Sequence, residues 1–312
     1  MNNRSIPQIL RCIGGMTIAA AIPIVLHFCS SSANADDSNK SARLVSLAPS
    51  NTELIYSLNA GGQLVGVSDV CDYPPEAKKK EKVGSFNSVK LEKLTKLHPD
   101  RILLITGQEA LANTLKKHKL PITVLDNSTI EQIPKNLETL GAITNKNEEA
   151  QTLKDNFTKS LNDLKSILSR SKSRPRVLIC VWPQPLMAAG KGSFMDQCIT
   201  ICGGVNCTGD LSQAYPRVNP ERLLLIKPDI ILVPNEVRNE KFWLKAPWKY
   251  MAAVKQNKLF VLPQYETDCL YRPTLRIKDA LHWLATTIHP EFKKEIDAWY
   301  RTKSPSHPPS RI

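Results

Sequence analysis

The 312-residue chain is long enough for two domains of ordinary size, and 42% hydrophobic with 6% aromatic content is globular composition, not that of a membrane channel. A formal net charge of +13 raises nucleic-acid binding, but the lysines are scattered apart from Lys78-Lys79-Lys80-Glu81-Lys82. No aromatic stacking motif is interleaved with them, so the basic balance reads as a solvated surface.

The amino end carries the first decisive pattern. Arg4 and Arg11 make a basic start, Ile13 to Phe28 is an apolar run, and Ala33-Asn34-Ala35 precedes Asp36. That is the pattern of a cleavable secretory signal over residues 1–35. An uncleaved anchor is the alternative, but Pro23 and His27 interrupt a run already short for a span. Lipid attachment at Cys29 is disfavoured by the bulk of His27 and Phe28. Export would leave Cys71, Cys180, Cys198, Cys202, Cys207 and Cys269 in an oxidising compartment, where some should pair. The spacing of Cys198, Cys202 and Cys207 does not match the usual zinc pattern. A local disulfide with the remaining thiols in the core is expected, its connectivity open.

Arg43 to Leu47 reads as a buried strand stopped by Pro49, followed by Ser50-Asn51-Thr52-Glu53 as capping residues of a helix that ends near Gly61-Gly62. Leu64 to Val67 is a second strand. Leu91 to Leu97 is helical in pattern, His98-Pro99-Asp100 turns the chain, and Arg101 to Ile105 and Pro121 to Leu125 are further strands. This alternation argues for a parallel sheet covered by helices.

From Glu148 to about Lys172, apolar residues Leu153, Phe157, Leu161, Leu164 and Leu168 recur on one face of an uninterrupted helix. A second strand series follows at Arg176 to Val181, Ile230 to Val233 and Leu259 to Leu262. The expected fold is therefore α/β, with two similar Rossmann-like lobes at 36–147 and 174–312 joined by one long backbone helix at 148–173. Residues beyond about His289 read as a loose tail.

The halves also look like copies. Leu94 to Leu103 aligns with Leu223 to Leu232, and in the same register Glu92 falls on Glu221 and Phe86 on Tyr215. Recurrence of a common helix–Pro–Asp–strand junction explains the Pro and Asp, not the glutamate and the aromatic. Two lobes joined by a stiff helix leave a cleft, a usual place for ligands.

Asp72-Tyr73-Pro74-Pro75, Phe86 before the Glu92 helix, Gly190-Lys191-Gly192-Ser193, Cys202-Gly203-Gly204-Val205-Asn206, and Arg272-Pro273 with Arg276 occur in that order. With them the chain resembles the solute-binding proteins of ABC importers for cobalamin (vitamin B12) and iron–siderophore complexes, most of all the cobalamin-binding members. The likeness runs from Arg43 to about His289.

It implies a periplasmic, monomeric binding protein that has no cofactor or metal of its own and serves a permease and ATPase complex, docking at the membrane without spanning it. It also implies that Tyr73, Phe86, Trp182, Tyr215, Asp268 and Arg272 line a corrinoid site, while Glu92 and Glu221 dock on the permease. Broad, apolar corrin faces with an amide rim suit aromatic side chains with polar tips. Glu92 and Glu221 also suit the first turn of a helix for its dipole alone.

The chain departs from the family pattern too. Phe86 and Tyr215 stand where tryptophan is usual, Thr106 and Cys269 where aromatics are, and Ala285 where a partner for Cys202 is. An iron–siderophore or haem ligand is the alternative, with Arg217, Arg272 and Arg276 as its anchors.

A catalytic reading finds little. Gly190 to Ser193 lacks the first glycine and the final Ser or Thr of a phosphate loop, and there is no HExxH pair and no G-x-S-x-G elbow.

Overall fold

The computed structural model describes residues 41–303, so the expected signal segment lies outside the described residues. Strands β1 (Leu44–Ser46), β2 (Leu64–Val67), β3 (Arg101–Ile105) and β4 (Ile122–Leu125) form one sheet in the order β2-β1-β3-β4, every pair parallel. A second sheet contains β5 (Arg176–Pro183), β6 (Leu186–Ala188), β7 (Val205–Asn206), β8 (Ile230–Val233) and β9 (Leu259–Val261). Here β5, β8 and β9 run parallel, β7 pairs parallel with β5, and β6 folds back antiparallel on it.

The helices are α1 (Pro49–Ser57), α2 (Leu91–Lys96), α3 (Glu109–Lys117), α4 (Gln132–Thr144), α5 (Asn147–Ser169), α6 (Phe194–Ile201), α7 (Pro220–Ile226), α8 (Ala252–Lys255), α9 (Gln264–Tyr271), α10 (Ile277–Ile288) and α11 (Lys293–Lys303).

Alternate strand residues point to opposite sheet faces, and the cores follow that alternation. Val45, Ile102 and Leu104 pack with Leu94, Leu111 and Leu115 into a core private to the first sheet. Leu178, Cys180, Ile231 and Val233 do the same for the second, against Leu223, Phe242 and Trp248. Their neighbours Leu44 and Leu103 in the first sheet, and Val177, Ile179, Ile230 and Leu232 in the second, all belong to one further core. That shared core also takes in Leu54 and Ile55 of α1, Leu137 of α4, Phe157, Leu161, Leu164 and Leu168 of α5, and Leu281 and Leu284 of α10. The two sheets therefore have separate outer layers and a common inner one. Phe157 is among the largest fully buried side chains, and burying such a ring stabilises by about 2–3 kcal/mol.

Helix α5 connects the sheets. Its 23 residues extend about 34 Å, and Glu148 and Glu149 in its first turn favour the positive end of the helix dipole. It ends at Ser169, three residues before the expected limit.

Three expectations are corrected. Ser50, Asn51, Thr52 and Glu53 do not cap α1 but lie inside it, buried, because Pro49 opens the helix from the extended residue Ala48. Residues 293–303 are no loose tail but α11, which packs on α5: Trp299 is buried and donates Nε1–H to the Ser160 carbonyl at 2.8 Å. Finally, the expected disulfide is not formed. All six cysteines among the described residues are free and buried. Cys71, Cys198, Cys202 and Cys269 belong to the shared core, and Cys180 and Cys207 to the outer core of the second sheet, where each thiol packs as a small apolar group.

Candidate functional site

In open parallel sheets, ligands bind beyond the carboxyl ends of the strands. In the first sheet that edge is organised by Gln108, whose Oε1 accepts from Ile105 N at 2.9 Å while Nε2 donates to the carbonyls of Leu47 and Phe86. The side chain thus ties the ends of β1 and β3 to the Phe86 turn. Gly84 starts that turn at φ +137, and a Cβ there would meet the Ser88 carbonyl at 2.4 Å, so glycine is required. Phe86 emerges half-buried.

In the second sheet β5 runs past its parallel partners and brings Trp182 to the corresponding edge. The segment carrying Tyr215 lies along β6, with Gly190 N–H donating to the Ala214 carbonyl and Ala188 N–H to the Pro216 carbonyl. A Cβ on Gly190 would come within 1.9 Å of the Gln213 carbonyl, so this close approach also requires glycine. Trp182 is 44% and Tyr215 41% exposed. The sequence reading missed a third member, Tyr271 at the end of α9, 37% exposed, whose hydroxyl donates to the Val181 carbonyl at 3.2 Å. Its place directly before Arg272 was the available signal.

Arg272 leads from this aromatic edge to a charge cluster. Asp268 and Arg272, expected in a loop after the last strand, stand on α9 and at its C-cap. Arg272 Nη1 donates to Asp72 Oδ1 at 2.6 Å and to Glu53 Oε1 at 3.2 Å, while its Nη2 is 3.9 Å from Asp268 Oδ1. Arg276 grips Glu53 with both arms of its fork, at 2.9 and 2.6 Å, and Thr274 Oγ1 donates to the same carboxylate at 3.0 Å. The Arg276 guanidinium also lies 3.7 Å from the Tyr73 ring centroid, covering one face of that ring. A cavity of about 200 Å³ opens beside Glu53, Tyr73 and Arg276.

Burial alone would raise the Asp72 carboxyl, but the hydrogen bond and charge of Arg272 outweigh it and hold Asp72 below its ordinary range. Burial likewise opposes the charge on Arg272, yet Asp72 and Glu53 hold its pKa above the usual value. Tyr73 is raised, mainly by burial.

The structure thus brings Tyr73, Asp268 and Arg272 together with Glu53, Asp72 and Arg276, and sets Trp182 and Tyr215 around Tyr271. Phe86 stands at the first sheet's edge, its carbonyl held by Gln108. Glu92 and Glu221 occupy the second position of α2 and α7, both exposed, Glu92 paired with Lys96 at 2.9 Å.

Residues 44–266 match the family model described as periplasmic binding protein. The chain belongs to that family. It is 30% identical over 249 residues to the vitamin B12-binding protein of Vibrio cholerae serotype O1, an alignment covering 79% of this chain and 88% of that protein. The crystal structure of the periplasmic vitamin B12-binding protein of Vibrio cholerae superposes with a TM-score of 0.71 at 28% identity, covering 81% of this chain and all but 2% of the other. An ABC transporter substrate-binding protein from Listeria monocytogenes has a TM-score of 0.72 at 26% identity, over 80% of this chain and 100% of its own. Among the described residues of this chain, no helix is long and apolar enough to cross a membrane, and no group of three or more His, Cys, Asp or Glu is arranged to hold a metal ion.

Proposed function

We propose that this protein captures cobalamin or a related corrinoid between its two lobes in the periplasm and delivers it to the permease and ATPase of an ABC importer. It works as a binder and not as a catalyst, after export by the 1–35 signal, with lobes at 36–147 and 174–312 about the 148–173 helix. Tyr73, Phe86, Trp182, Tyr215, Asp268 and Arg272 form the ligand site. Glu92 and Glu221, at equivalent places on the two lobes, dock a monomer on a pseudo-symmetric, basic partner surface. The similarity to vitamin B12-binding relatives supports the ligand class.

The observation that carries the reading is the aromatic edge. Trp182, Tyr215 and Tyr271 remain open to solvent at the carboxyl end of β5, where a folded protein would ordinarily cover such rings. Aromatic side chains supply contact area to a flat, apolar ring at little entropic cost, and their tips suit its amide rim.

Calorimetric titration of the purified protein with cyanocobalamin, and then with cobinamide, tests this. One-to-one binding is expected, weakened about 30-fold or more by Trp182→Ala with Tyr215→Ala. Absence of heat from a protein with a folded circular-dichroism spectrum would remove corrinoids as the ligand.

A further inference from the structure

The two arginines beside the aromatic edge look, by residue type, like anchors for an anionic ligand. Their surroundings say otherwise. Three carboxylates, Glu53, Asp72 and Asp268, face two guanidinium groups, one more carboxylate than guanidinium, with Lys78 acting on Asp72 from outside the pairs. The cations are the hidden members: the side chains of Arg272 and Arg276 are 17% and 12% exposed, against 47% for Asp72 and 30% for Asp268. Glu53, the most deeply buried, bonds both guanidinium groups from within. What the cluster presents to solvent is therefore carboxylate.

We infer that Asp72 and Asp268 set the charge selectivity of the cleft, admitting ligands without net charge and rejecting anionic ones that Arg272 and Arg276 would otherwise hold. This rests on the reading of the cleft given above. The physical basis is that specificity arises as much from unfavourable juxtaposition of like charges as from attraction. An incoming carboxylate meets two acids before it reaches either arginine. At Arg272 Nη1 it must compete with Asp72 for a 2.6 Å hydrogen bond, and at Nη2 it must approach Asp268, 3.9 Å away. A neutral amide rim needs no such exchange.

The cluster adjoins both aromatic groups: Arg272 follows Tyr271, whose hydroxyl is bonded to the Val181 carbonyl beside Trp182, and Arg276 covers the Tyr73 ring. Replacing Asp72 and Asp268 with their amides leaves both arginines on Glu53, one carboxylate against two guanidinium groups.

The experiment compares cyanocobalamin with its monocarboxylic acids, in which one rim amide is hydrolysed, so that shape is kept and one negative charge is added. Wild-type protein should prefer the neutral ligand at least tenfold, and the preference should shrink as salt screens it. In Asp72→Asn with Asp268→Asn the ratio should fall to threefold or less, whatever happens to absolute affinity. In Asp72→Glu with Asp268→Glu, which retains the charge and changes the geometry, discrimination should persist. An unchanged ratio in the amide variant, or equal loss in the glutamate variant, overturns the inference.

If the wild type binds neither corrinoid, the corrinoid reading fails while the charge inference still has a readout. Haem, with two propionates, should then bind the amide variant at least tenfold more tightly than wild type in a Soret titration. Equal haem affinity would overturn it.

Discussion

Arg43 and Arg176 make matching hydrogen bonds in the two lobes. Their Nη2 groups donate to the carbonyls of Leu97 and Ile226 at 2.8 and 2.9 Å, and their Nε groups to those of His98 and Lys227, both at 3.3 Å. Their backbone N–H groups donate to Asp100 and Asp229, both at 2.7 Å. His98 and Lys227 both adopt left-handed backbone, φ 44 and 46, as each helix turns into the central strand. Each arginine places its cation on the negative end of that helix. Alanine at either position should lower the stability read from urea unfolding by about 1 kcal/mol, since the groups are partly solvated. The effects of Arg43→Ala and Arg176→Ala should add, because the two share no partner. A strongly unequal pair of losses would contradict the equivalence.

The Asp72 carboxyl titrates below the ordinary aspartate range in the folded protein because Arg272 favours its charged form over the penalty of burial. A lowered folded pKa means stability that is complete above the unfolded value and lost as pH falls through the folded one. Asp72→Asn should therefore flatten the acid limb of thermal stability relative to wild type, most visibly below the ordinary aspartate pKa. Melting curves at stepped pH test this; parallel acid limbs would show that the Arg272 contact contributes nothing.

Much of the fold was legible because both faces of each sheet are covered. A strand buried on both sides reads as a continuous apolar run, and the observed β2, β3 and β8 have the expected limits. The apolar stripe of α5 was equally plain. Strands β6 and β7, three and two residues long, carry too little pattern to be seen. Helix α11 was missed because its charges conceal Ile296, Trp299 and Tyr300, spaced to bury one face. In the candidate site, aromatic and charged residue types could be picked out, but their partners could not. Glu53 read as a cap because Arg272 and Arg276 lie about 220 residues away, and Tyr271 owes its place to Val181, 90 residues back.

The free thiols make a third prediction. Burial raises the pKa of all six, that of Cys207 to about 12, which leaves little thiolate at neutral pH. Protein lacking residues 1–35 should release no thionitrobenzoate from Ellman's reagent while native, and six equivalents in denaturant. Rapid reaction of native protein, or fewer than six equivalents on unfolding, would show exposed or paired cysteines.

Trp299 provides a fourth. It is buried and bonded to the Ser160 carbonyl. Trp299→Ala should cost about 3–5 kcal/mol through lost packing. Trp299→Phe, which keeps most of the ring volume and loses only the donor, should cost about 1–3 kcal/mol. If both are neutral in chemical denaturation, α11 is not part of the fold.

The common inner layer bears on how the molecule is made. Leu44 and Leu103 belong to the first sheet, but Leu281 and Leu284, which share their core, follow only after the whole second sheet has been made. Until then the first sheet has one greasy flank uncovered, in danger of sticking to its neighbours. Although the halves look like copies, neither is any longer a protein in its own right. Each is the other's missing wall, and a chain that stops short of α10 leaves both exposed.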